Sequence, residues 1–357
     1  MNAKERVLAA LAHQPTDTIP FSLGFGINPP AGETMAPLLH MESGKQVNEY
    51  LQTKSDLAWV TPQYIGPKDR NVRMEDGRQI DIWGVERKPV SYGSGSYDEI
   101  TAYPLSEVEE ISELENYRFP DPDWFDYSVL PQKIQNAQKD GPKAIVLGTV
   151  NPFESSWYLR GLENLMADLI LEPELANEIL RRVTDFFYEY LNRALKAAGG
   201  GIDIVFTADD IGQQQGLMMS LDCWRENLKP YHQKLNALIH SYGAKVMYHS
   251  DGAVMEAVEE LIDMGIDVLE ALQFDAVGMD PVVLKEKYGD RLCFHGGVSV
   301  QSTLPFGTEA QVTREVEERI AILGKNGGYI LAPSHAVQAN TPPENILAFF
   351  KAAGRPL

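Results

Sequence analysis

Short apolar runs rich in β-branched and aromatic residues recur along the chain, and most give way to a polar break followed by helical spacing. Eight of them read as strands: Ile19–Phe25 (IPFSLGF), Leu57–Gln63 (LAWVTPQ), Ile145–Val150 (IVLGTV), Ile202–Thr207 (IDIVFT), Ala244–Tyr248 (AKVMY), Asp267–Gln273 (DVLEALQ), Leu292–Val298 (LCFHGGV) and Tyr329–Pro333 (YILAP). Helical spacing covers Lys4–His13, where Val7, Leu8 and Leu11 share a face and Pro15 and Asp17 end the pattern. It returns near Lys45–Thr53, over Leu162–Ala198 with an interruption near Pro173, over Leu221–Tyr242, after Gly252, over Glu309–Leu323, and over Pro343–Ala353 with proline in the first turn. This alternation predicts an α/β protein, a TIM (β/α)8 barrel with an N-terminal helical extension, whose chemistry gathers at the C-terminal ends of the strands.

Residues 64–141 break the rhythm. An Asp76-Gly77 turn between alternating residues of Met74–Val90 predicts a hairpin, and acidic, proline-containing text follows at Phe119–Asp123. This is read as an insertion after the second strand, laid over one end of the barrel as a lid or as a passive excursion. The whole of 1–357 is then one domain.

Composition narrows the function. The 357 residues are 44% hydrophobic and 23% charged, with a formal net charge of −20. Such a surface repels phosphate backbones and anionic lipid, so neither nucleic acid nor membrane is expected as a partner; a small-molecule substrate is, and self-association into a homo-oligomer is compatible. No apolar run is long enough to span a bilayer, and MNAKERVLAAL lacks the core of a signal peptide. Only Cys223 and Cys293 are present, far apart and outside any metal-binding spacing, so no disulfide framework is expected and a cytoplasmic location is.

The chemistry-bearing residues cluster where the strands end. AKVMY runs into His249-Ser250-Asp251-Gly252, which puts an imidazole and a carboxylate at the rim of a sheet, although Ser250 and Asp251 could equally cap the next helix. The other strands contribute Glu154, Asp209 and Asp210, Gln273, His295, and Ser334 with His335. Neutral imidazoles with carboxylates suit a divalent metal, or metal-free acid–base work. Glu270 lies inside a strand and must be paired, ligate a metal or face outward. Neighbouring Asp209 and Asp210 point opposite ways, so only one of them faces the cavity. The expected catalytic group is His249, Asp251, His335 and Asp210; the expected substrate-lining residues are Glu154, Asp209, Tyr248, Gln273 and His295. Gly24-Phe25-Gly26 is too short for a dinucleotide fingerprint.

Several stretches together resemble the uroporphyrinogen decarboxylase superfamily, which includes methyltransferases of corrinoid-dependent pathways. They are KERVLAALAHQPTDTIPF (Lys4–Phe21), FESSWYLRGLENLMADLILEPELANEIL (Phe153–Leu180), YHSDG, FHGGVSVQSTLPFGT (Phe294–Thr308) and GGYILAPSHAVQANTPPENILAF (Gly327–Phe349). The resemblance implies the barrel independently. Porphyrin decarboxylases carry an arginine-containing RQAGR-type motif after the first strand, where this chain reads SLGFGINPP, and an essential aspartate after the second, where it reads Thr61-Pro62-Gln63. Their late GHG histidine is matched by His335. Coenzyme M methyltransferases hold zinc through H-x-C-G and a late cysteine; His249-Ser250-Asp251-Gly252 and His335 stand in those places.

The resemblance therefore implies zinc on His249, Asp251 and His335, with Glu270 as a fourth ligand. A nitrogen–oxygen ligand set in place of thiolates suits polarising the oxygen of an O-methyl substrate better than activating a thiol. No D-x-H-x-x-G pattern is present, so a corrinoid would come on a partner protein. Two rival expectations stand beside this one. The first is a metal-free decarboxylase of a porphyrinogen or smaller acid, with Arg160 as its nearest arginine. The second is a non-catalytic tetrapyrrole- or corrinoid-binding protein.

Overall fold

In a strand every second side chain faces the same way, and in this chain that alternation sorts the barrel into an inside and an outside. The computed structural model describes residues 1–93 and 95–357. Seven strands form one parallel sheet, in chain order: β1 (Leu57–Val60), β2 (Ala144–Val150), β3 (Ile204–Ala208), β4 (Lys245–His249), β5 (Val268–Glu270), β6 (Cys293–Val298) and β7 (Tyr329–Pro333). Leu57, Val146, Phe206, Met247, Val268, Cys293 and Ile330 point inward as one cluster, joined by Val7 and Leu11 of the N-terminal helix Ala3–Leu11. The alternate residues pack outward with the surrounding helices in a larger core.

The first expected strand is the exception. Ile19–Phe25 reduces to one parallel bridge, Phe21 with Leu331, supported by Ser22 N–H to the Leu331 carbonyl at 2.9 Å and Leu331 N–H to the Pro20 carbonyl at 2.8 Å. Pro20 has no N–H to give a ladder, and Gly24 and Gly26 turn the chain away at φ +56° and +84°. The barrel thus has seven strands and an eighth stave one residue long. Asp56, just before β1, ties this stave down. Its carboxylate accepts the Phe21 N–H at 2.9 Å and pairs with Arg355 near the C-terminus at 2.6 Å and, more loosely, with Arg6 of the N-terminal helix at 3.5 Å.

The hairpin expected around Asp76-Gly77 is present and extends into a four-stranded antiparallel sheet over Val72–Arg73, Gln79–Ile80, Glu86–Ser91 and Ser96–Ala102. It is anchored by Trp83, whose ring lies 5.1 Å from Phe186 and 5.4 Å from Phe187 on the long helix Pro173–Ala198. The helical stretch 162–198 splits at Pro173 into Leu162–Leu171 and Pro173–Ala198, since proline suits a first helical turn but not an interior. Among the described residues no helix is long and apolar enough to cross a membrane.

Cys293 is buried with its sulfur 3.4 Å from the Ala10 carbonyl, and burial pushes its thiol up to about 12. Cys223 is only half-buried. A thiol reagent at pH 8 is expected to label one cysteine in the folded protein, Cys223, and both after denaturation. Equal labelling of both in the folded state would contradict this packing.

Candidate active site

The same alternation builds the site. Inward-facing Met247 is followed two residues later by His249, Val268 by Glu270, and Cys293 by His295. β4 and β5 pair in register, His249 opposite Glu270, and β5 pairs β6 with Leu269 opposite Phe294, which brings His295 beside Glu270. An imidazole, a carboxylate and a second imidazole therefore form one row at the top of the barrel interior, and all three are nearly fully buried.

His249 Nδ1 hydrogen-bonds Glu270 Oε2, and His295 Nδ1 lies 3.7 Å from Glu270 Oε1. Burial alone would drive both members of the first pair neutral. Their mutual attraction outweighs it, holding Glu270 down at about 2 and lifting His249 to about 10. With Nδ1 committed, His249 turns Nε2 toward the mouth, 3.6 Å from Asp210 Oδ1. Asp251, in the turn after β4, and His335, in the turn after β7, complete a trio: one ligand atom from each of His249, Asp251 and His335 lies within 4.8 Å of the others. Burial pushes the Asp251 carboxyl up, against the pull of His249 and His335. The Phe25 ring covers one side, 5.4 Å from His249 and 4.9 Å from His335.

Asp251 and His335 of the trio border a cavity of about 410 Å³ at the barrel mouth, lined also by Gln273, Ser334, Gln338 and Asn340. Gln273 spends its oxygen on the Gly252 N–H at 2.9 Å, while its Nε2 is buried without a partner. Both ring nitrogens of His295 are likewise without hydrogen bonds. Glycine is needed after His295: at Gly296, φ +114°, an added Cβ would lie 2.0 Å from the Ala271 carbonyl oxygen. Glu154, in the first turn of helix Pro152–Arg160, is pushed up to about 7, chiefly by burial and then by Asp209 and Asp210.

Three expectations are corrected by where the side chains go. Asp209 faces outward, because Ala208 faces in. Its carboxylate accepts the Phe153 and Glu154 N–H groups at 2.8 Å each and bonds His232 at 2.6 Å, so it caps a helix and is not part of the mouth cavity lining. Its neighbour Asp210 faces the mouth and accepts the Asp251 N–H at 2.7 Å. Tyr248 also points outward, wholly buried, its hydroxyl donating to the Asp209 carbonyl at 2.9 Å. Glu270, expected as a fourth ligand, stands behind His249, outside the trio, where its carboxylate holds the imidazole by Nδ1. Arg160 is consumed by Asp168 at 2.7 Å and by the carbonyls of Leu105, Ser106 and Val108. Two residues went unnoticed in the sequence. Phe25 carried a signal in its two flanking glycines; His232 carried none, being one polar position in a helix.

A metal fits this donor set. Two imidazoles and a carboxylate converge, one imidazole is oriented from behind by a carboxylate, and the donors, with the imidazoles deprotonated by the ion, are of the type borderline divalent ions such as zinc prefer.

The comparisons agree with this architecture. The family profile described as Uroporphyrinogen decarboxylase (URO-D) matches residues 88–355. A methylated-thiol–coenzyme M methyltransferase of Methanosarcina mazei is 28% identical over 214 residues, 60% of this chain and 53% of that enzyme. The chain thus spans about half the length of that relative. A uroporphyrinogen decarboxylase of Aliivibrio salmonicida is 22% identical over 283 residues, 74% of either chain. The solved structure of a methyltransferase from Methanosarcina mazei superimposes with a TM-score of 0.68 at 22% identity, over 99% of this chain and 98% of that one, a likeness of fold. With the profile covering well over half of its length, the chain belongs to the uroporphyrinogen decarboxylase family.

Proposed function

We propose that the protein is a methyltransferase that moves a methyl group between a small O-methyl substrate and a corrinoid carried by a separate protein, with zinc held by His249, Asp251 and His335. The observation that carries this reading is the convergence of those three side chains, with Glu270 fixing His249 from behind. Zinc there would supply Lewis acidity to the heteroatom that carries the methyl group. Nitrogen and oxygen ligands leave it more electrophilic than thiolates would, which favours an ether oxygen over a thiol.

The chain's own groups do the rest. Gln273 Nε2 offers an unspent donor to the substrate at the mouth. Asp210 fixes the backbone of Asp251. Loss of a methyl group leaves an oxygen that needs a proton, and Glu154, poised at about 7, is the group matched to give it near neutral pH. Decarboxylation of a polyacid is less well supported: among the described residues no lysine or arginine lines the mouth cavity, and Arg160 is tied up elsewhere.

Protein purified without a histidine tag is expected to carry about one zinc per chain. His249→Ala and His335→Ala should lose it, and Glu270→Gln should weaken zinc binding by roughly 10–100-fold. In each variant, methyl transfer to free cob(I)alamin should fall with the metal. Metal analysis checks the first part; a wild-type protein that takes up no zinc, even when it is added, removes the metal from the proposal.

The position of Glu154 also has a stability consequence. Its folded pKa lies above the ordinary 4.5, so folding favours its protonated form. That contribution is complete below about 4.5 and is lost as pH rises through about 7. Glu154→Gln is therefore expected to stabilise the metal-free protein at pH 8 by about 1–2 kcal/mol, with the gain vanishing near pH 4. Urea melts of both proteins across that range give the answer, and a pH-independent difference would show that Glu154 titrates normally.

A further inference from the structure

The barrel wall is open on one side. Toward β7 the Phe21 stave has a bridge and two backbone hydrogen bonds, but toward β1 it has a single backbone bond, from Asp56 N–H to the Phe21 carbonyl at 2.7 Å. Next to that bond lies a second cavity, about 520 Å³, between Gly24-Phe25 on one side and Leu57, Ala58 and Trp59 on the other. This is within the usual size of a small-molecule pocket.

Its walls are mostly hydrocarbon. Phe25, Leu57, Ala58, Trp59 and Ala137 supply them, and the cation at its rim, Lys143, is spent on the Thr53 carbonyl at 2.9 Å. Gln52 and Thr149 add two polar side chains, and a pocket walled mostly by hydrocarbon favours an uncharged, largely apolar group.

The slit also leads to the trio. Leu57 and Trp59 belong to the barrel interior, and the Trp59 ring lies 5.2 Å from Phe206, which in turn lies 5.9 Å from His249. Phe25 is the partition between the two cavities: it lines the slit and stands 4.9 Å from His335, which lines the mouth. It stays 42% exposed despite its ring contacts. The backbone on both sides of it has the left-handed conformation that glycine adopts freely, and a Cβ added at Gly24 would lie 4.0 Å from His295 Cε1.

We propose that this slit binds the apolar, uncharged part of the substrate, and that Phe25 sets the length of group that can reach from the slit to the trio. The assignment rests on the trio being the reacting centre. The occupant is the substrate itself because the slit and the trio share a wall one ring thick.

The test uses two uncharged probes that brighten in apolar surroundings, the compact N-phenyl-1-naphthylamine and the longer 1,6-diphenylhexatriene. The compact probe is expected to bind the wild-type protein saturably. Ala58→Trp and Ala137→Trp, which fill the slit from different walls, should each weaken it at least about tenfold, a change of about 1.4 kcal/mol. The longer probe should bind Phe25→Ala at least about tenfold more tightly than wild type. Melting temperature and zinc content, measured on every variant, establish that it is folded and that the trio is intact. No binding of the compact probe, or unchanged binding in either folded slit variant, overturns the pocket; equal affinity of the longer probe for wild type and Phe25→Ala overturns the partition. Failure of the methyl-transfer reading would look different, as absent zinc with probe binding retained.

Discussion

A carboxylate buried between two imidazoles has to be neutralised where it stands, and Glu270 is such a group. Taking a charge out of water costs several kcal/mol unless a partner is close and hydrogen-bonded. His249 is that partner, and the in-register pairing of β4 with β5 makes the contact unavoidable. Once Nδ1 is committed to Glu270, the other ring nitrogen can face only the mouth, where Asp251 and His335 arrive on turns. The trio exists because the strand pairing behind it leaves His249 no other orientation.

Around this pair the barrel divides labour between neighbouring residues of the same type. Asp209 and Asp210 are chemically identical, yet the pleat sends one outward to cap helix Pro152–Arg160 and the other inward to the site. The outward one is no less important to the chemistry. By holding the first amides of that helix, and being held by His232, it fixes the backbone of Glu154 and contributes to raising its pKa. A substitution at Asp209 would reach the site through both the position and the pKa of Glu154.

The open flank beside Phe21 follows from ordinary chain chemistry. Proline at 20 and glycines at 24 and 26 stop a ladder from forming, and the Asp56 cluster closes the wall at one level only. A fully laddered eighth strand would have sealed the slit and fixed Phe25 in the wall. Weak local pairing at one stave is thus what leaves a slit beside Phe25, whose ring also packs against His249 and His335.

Much of this was legible in the residues. Apolar runs alternating with helical spacing pointed to the barrel, and the break of AKVMY into His249-Ser250-Asp251-Gly252 marked an imidazole and a carboxylate at its rim, whereas Tyr248, expected to line the pocket, turns the other way. The Asp76-Gly77 turn marked the hairpin, although its growth into four strands was not visible, since edge pairing depends on what lies alongside. Glu270 was narrowed to three roles, and only its distance to His249 chose among them. Sequence alone determined which side chains could be near the mouth, because strand and helix periods are local properties of the chain. Tertiary structure alone decided which of them meet, with Asp209 bound to His232, Arg160 consumed by carbonyls and Phe25 set against two histidines, because contacts between distant segments depend on strand register and packing that no local period encodes.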